Sequence, residues 1–249
     1  MILEICVDSL ASAVTAERGG ANRVELCSDL IEGGITPSAG LIQAVRSAIS
    51  IDLFVMIRPR GGDVSYSPQE FDIMQADILH AGCLGANGVV LGMLQTDGKV
   101  DISRTAELVK LAQPMQVTFH RAIDLTPDLE AACEDVIATG AHRILTSGGM
   151  PTALSGAEQI ARLVRRAGNR IRIMAGSGIH PRNAAELLQT TGATELHASL
   201  RRPVASPAGY RDRGIGLGQQ KDAEFLRYEL LEEDVRSLRN VMDSMRPHS

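Results

Sequence analysis

The 249-residue chain has no tryptophan, three tyrosines and four phenylalanines, an aromatic content of 3%. Few rings are available for base stacking, and a net charge of -5 gives no basic face for a phosphate backbone, so nucleic acid is not an expected partner. No apolar run approaches the roughly 18 residues that a membrane span needs, and no membrane association is expected. Cysteine is sparse as well: Cys6, Cys27, Cys83 and Cys133 lie far apart, unlike the dense framework of a small secreted domain. Reduced thiols are therefore expected. The opening MILEICVDSL lacks a basic segment and carries Glu4 and Asp8, which argues against a signal peptide and makes the cytoplasm the expected compartment.

What is present is alternation. Eight short runs rich in β-branched residues, ILEICV, RVELC, LFVMIR, GVVLGM, MQVTFHR, RILTSG, RIRIMAGSG and TELHAS, are separated by stretches of helical length. The helices are expected to open near Ser9, Ser38, Pro68, Asp101, Pro127, Ala153, Pro181 and Asp222, several behind a Ser, Thr or Asp cap or a proline. Eight strand–helix units connected by right-handed crossovers close most economically into a single (β/α)8 TIM-type barrel spanning residues 1–249, with an open doubly wound sheet as the alternative. The stretch 201–221, rich in Gly, Pro, Ser and Arg, is expected as a long loop at the barrel mouth after the eighth strand.

Side chains alternate across a strand, so the inward set can be read off by parity. In VTFHRAID, from Val117, the apolar Val117 and Phe119 share one face while Thr118 and His120 share the other. By the same rule Glu4 pairs with Cys6, Glu25 with Cys27, and Glu195 with His197 and Ser199. In a closed barrel strands eight, one and two are neighbours, so these groups converge, with Arg58 expected close enough to neutralise part of the acidic cluster. His120 and His197 at strand ends are candidate acid–base groups, with Asp124 placed to orient His120, and Glu25 completes that set. The turn Gly176, Ser177 and Gly178 before the Pro181 helix, the pair Arg58 and Arg60 in RPRGGD, and Ser199 form a candidate cradle for a small anionic ligand. Cys83 and Cys133, on helices, read as packing residues.

Six segments, RVELCSD, EGGITPSAG, MIRPRGGD, VTFHRAID, RILTSGG and IMAGSGI, resemble in order and spacing the CutC family of copper-homeostasis proteins. Where the family commonly has FHRAFD this chain has FHRAID, an apolar exchange at Ile123. The resemblance implies a (β/α)8 barrel, a cytoplasmic role in copper tolerance, a homodimer, and Cu(I) held by cysteines that correspond to Cys6 and Cys27. Thiolates are soft ligands that suit Cu(I), although glutamates beside them are expected to raise the thiol pKa and oppose ionisation. A broad apolar helix face, AELVKLA from Ala106, is the feature expected to support self-association.

Two readings of function stand side by side. One is a copper(I)-binding protein without turnover, using Cys6 and Cys27. The other is a barrel enzyme for a small anionic or phosphorylated substrate, using His120 with Asp124, His197 or Glu25.

Overall fold

A computed structural model describes residues 1–209 and 226–245. Eight parallel strands close on themselves in sequence order: β1 (Ile2–Val7), β2 (Arg23–Leu26), β3 (Asp52–Met56), β4 (Gly88–Leu91), β5 (Gln116–Phe119), β6 (Arg143–Thr146), β7 (Arg172–Gly176) and β8 (Glu195–Ala198). Helices α1 (Leu10–Arg18), α2 (Ala39–Ala48), α3 (Pro68–Cys83), α4 (Ile102–Ala112), α5 (Leu129–Ala138), α6 (Ala157–Ala167) and α7 (Pro181–Thr191) follow strands one to seven in turn. The chain forms the expected (β/α)8 barrel.

The outward strand residues build the larger core. Leu3, Ile5, Val7, Val117 and Phe119 are fully buried between barrel and helices. Burial of such a side chain contributes roughly 1.5–3 kcal/mol each. The inward set is polar toward the amino ends of the strands and becomes a small apolar and thiol cluster nearer the mouth, made of Cys6, Cys27, Phe54, Met56 and Val90.

Helix starts follow local chemistry. Ser9, Ser38 and Asp101 each accept a hydrogen bond from a first-turn amide, and Ser67 with Glu70 forms a capping box behind Pro68. Two expected starts differ. The fifth helix opens at Leu129 because the Asp128 carboxylate accepts from the amides of Glu130 and Ala131, and Thr126 instead ends a preceding 3-10 turn. The sixth opens at Ala157 rather than Ala153, because the buried Ala153 donates its amide to the Ser177 carbonyl at 3.0 Å and is committed to the neighbouring loop. The last expected start, Asp222, lies outside the described residues, and α8 runs Glu232–Ser244.

The segment expected as one irregular loop, 201–221, begins instead with strand β9 (Arg202–Ala205), paired antiparallel with β10 (Leu226–Glu229). Its partner lies more than twenty residues on, so local composition carries no sign of the pairing; residues 210–221 are outside the described residues.

Candidate functional site

Barrel closure brings β8, β1 and β2 side by side, with Glu4 in register with Arg23 on one side and His197 on the other, and Cys6 in register with Glu25. Beneath the mouth lies a buried ionic layer. Glu4 pairs with the Arg23 guanidinium, Arg23 reaches Glu195 at 2.9 Å, and Arg143 also pairs with Glu195. Both guanidinium groups pack on the Phe54 ring, 4.7 and 5.3 Å from its centroid. This corrects the expectation that Arg58 neutralises the acidic cluster. Arg58 spends its guanidinium on the carbonyls of Glu32, Gly34 and Gly62. The arginines that serve the cluster were legible by parity, since Arg23 shares a face with Glu25 and Cys27, but a charge at a strand start reads as solvent-facing.

Above that layer, Glu4 also holds His197, whose Nδ1 lies 2.7 Å from Oε1. Burial works against ionisation of Glu4, yet Arg23 and His197 hold its pKa down at about 2. Burial likewise opposes protonation of His197, but Glu25, Cys6 and Glu4 hold its pKa well above the ordinary histidine value. The Cys6 and Cys27 sulfurs are 3.9 Å apart. A hydrogen bond from Cys27, aided by His197 and Glu25, lowers the Cys6 thiol to about 5, whereas that same bond and burial push Cys27 well up. The expectation that the glutamates raise both thiols therefore holds for Cys27 and fails for Cys6, which Glu25 helps to lower through a hydrogen bond. Glu25 is pushed above the carboxylate range by burial and by Cys6.

The mouth opens into a cavity of about 330 Å³. Cys6, Glu25, Arg58, His120, Asp124 and His197 all line it, alongside apolar Met56, Val64 and Leu145. Among the described residues, two sets of side chains offer ligand atoms within 4.8 Å of one another: Cys6, Glu25 and Cys27, and Glu4, Glu25 and His197. Cys133 is buried in α5 and Cys83 is exposed at the end of α3, both far in sequence from these sets.

Other expected contributors fall elsewhere. Asp124 does not orient His120: it accepts from Thr146 Oγ1, the amides of Ser147 and Gly149, and Arg121, which fixes the loop after β6. Arg60 is tied to Glu70 and Asp63 beside α3 and does not line the cavity. Gly176, Ser177 and Gly178 do not line the cavity, although Gly176 is in register with His197. Ser177, at φ 89°, donates to the Pro151 carbonyl, and a Cβ on Gly176 would press on Leu145. Ser199 is exposed beyond the end of β8.

Comparison with known proteins agrees with this geometry. The model of the CutC family matches residues 1–202. A CutC family protein of Chromobacterium violaceum is 50% identical over 242 residues, covering 97% of this chain and 98% of that protein. The human copper homeostasis protein cutC homolog is 45% identical over 240 residues, 96% of this chain and 87% of its own length. A crystal structure of CutC from Streptococcus agalactiae superposes with a TM-score of 0.76 at 33% identity, covering 80% of this chain and 98% of that one. With its barrel, its paired mouth cysteines and these relatives, the chain belongs to the CutC family.

Proposed function

We propose that the chain serves copper homeostasis as a cytoplasmic Cu(I)-binding protein, with Cys6 and Cys27 as the metal ligands. The observation that carries this reading is the sulfur pair, 3.9 Å apart, with Cys6 of β1 at the wall of the cavity and Cys27 buried beside it just past the end of β2. Two metal–thiolate bonds of about 2.3 Å laid end to end span about 4.6 Å, so one soft ion could touch both sulfurs at their present separation. Glu25 offers a carboxylate oxygen to the same set, and its Oε1 is buried without a hydrogen-bond partner. Bound there, Cu(I) would supply a soft cation that the ionic layer below does not otherwise hold. Glu4 orients His197, and the Glu4–Arg23–Glu195–Arg143 layer fixes the strands that carry the two cysteines. The names of the human and mouse relatives support a role in copper homeostasis. For the compartment, all four cysteines are free, and among the described residues no helix is long and apolar enough to cross a membrane.

Competition for Cu(I) against a chromogenic chelator tests the site. One ion per chain is expected for the parent and for Cys83→Ser, with the tight ion lost in Cys27→Ser. Unchanged affinity in Cys27→Ser would discard the thiol site.

A second reading, turnover of a small anionic substrate, draws on a cavity far larger than one ion needs. In that reading burial and then Arg58 lower the His120 pKa to about 4, so the ring is neutral near pH 7 and would start as a weak base rather than an acid. His197 and Glu25 are the other mouth residues available for proton transfer.

A further inference from the structure

Of the proposed metal ligands Cys6 lines the cavity, and the wall formed after β5 is left unexplained. His120 is 7% exposed, and its Nε2 is buried with no hydrogen-bond partner. Its Nδ1 accepts the Ala122 amide at 3.1 Å. That bond requires a lone pair on Nδ1, so in the neutral ring the proton sits on Nε2. The low pKa keeps the ring neutral above about pH 5. Gly92, at the end of β4, backs the opposite edge, since a Cβ there would collide with Nδ1 and Cε1. His120 lines the cavity, and its Nε2–H is the ring edge left without a protein acceptor. A buried N–H with no acceptor costs about 1–3 kcal/mol, which a ligand oxygen would recover.

The surroundings narrow the class of oxygen. Arg58 lines the cavity beside His120, and Asp124, which opposes its effect on the ring, is itself paired with Arg121. Arg121 adds a second cation at the rim, 44% exposed. Of the carboxylates on this side, Asp124 is consumed by its own donors and Glu32 is exposed. Met56, Val64 and Leu145 supply apolar surface, and about 330 Å³ equals roughly eleven waters at about 30 Å³ each. That suits a body of a few carbons.

We infer that the cavity is a binding site for a small organic carboxylate, one oxygen of which accepts the Nε2–H of His120 while its body lies against Met56, Val64 and Leu145. This site is separate in its contacts from the sulfur pair. Nothing in it requires copper.

The test uses the whole protein and three probes, acetate, pyruvate and malonate, in thermal melts with and without His120→Ala and Cys27→Ser. At least one probe should raise the parent midpoint saturably, by about 3 °C at ten times its Kd. The rise should persist in Cys27→Ser and vanish in His120→Ala. Nitrogen NMR of the parent, which needs no variant to fold, should show His120 as the neutral Nε2–H tautomer, with that resonance moving on addition of the same probe. No saturable rise with any of the three overturns the inference. So does a rise that survives His120→Ala or disappears in Cys27→Ser, or an Nδ1–H tautomer. A parent that binds the carboxylate but no Cu(I), or a Cys27→Ser variant that keeps the parent's Cu(I) affinity, would fault only the thiol site.

Discussion

At the scale of residues, the buried charges make the sharpest claims. Removing one member of a buried ionic layer strands its partners, so Glu4→Gln should lower unfolding free energy by about 3–5 kcal/mol in urea titrations. By contrast Arg166→Ala, which breaks exposed pairs to Glu130 and Glu134, should cost less than about 1 kcal/mol. A loss for Glu4→Gln as small as that for Arg166→Ala would mean that Arg23 does not depend on Glu4. His120 makes a pH prediction. Its folded pKa of about 4 lies below the ordinary 6.5, so between these values the unfolded chain binds the proton and the folded chain does not. Stability therefore falls as pH drops from 6.5 to 4, by on the order of 3 kcal/mol from this group. Glu4, with its pKa of about 2, adds a loss of the same sign lower down, from 4.5 toward 2. His120→Gln should flatten the upper part of the curve in urea titrations at pH 4 to 7; an unchanged slope would show that His120 does not titrate as described. Much of this scale was legible by parity, which placed Cys6, Glu25, Cys27, His120 and His197 around one mouth. It failed where a residue leaves its strand: no alternation rule reaches Asp124, whose partners come from the loop after β6.

At the scale of elements, strands were easier to read than helix starts, because a fully buried parallel strand is a continuous apolar run while a helix can begin at any of several neighbouring caps. Asp128 supplanted Thr126 in this way, and the Ala153–Ser177 hydrogen bond delayed α6. The β9–β10 ladder had no local signal at all. Within the barrel, Gly88 of β4 leaves room for the Phe54 ring, since a Cβ there would meet three ring carbons at 2.5–2.7 Å. Gly88→Ala should therefore cost about 1–3 kcal/mol by overpacking and disturb both arginines stacked on that ring. At the surface, Ser67→Ala removes the capping box of α3 and should cost about 1 kcal/mol without touching the mouth. Chemical denaturation of the two variants separates the cases; equal losses would show that Phe54 relaxes freely.

At the scale of the whole molecule, closure of eight strands is what converts scattered sequence positions into a site, because β8 and β1 meet only when the barrel shuts. We also propose a dimer, though not through the face first expected. Leu108, Val109 and Ala112 of AELVKLA are buried against the barrel, while Ile73 and Leu79 of α3 are about half exposed and better placed for a second copy. Sedimentation should show a dimer at micromolar concentration that Leu79→Glu weakens; a monomeric parent would refute this. The central claim concerns the sulfur pair at the mouth. It is tested most directly by X-ray absorption at the copper edge on the protein loaded with one equivalent of Cu(I). The arrangement of Cys6 and Cys27 predicts two sulfur neighbours in the parent, reduced to one or none in Cys27→Ser. A parent spectrum with only nitrogen or oxygen neighbours would contradict it.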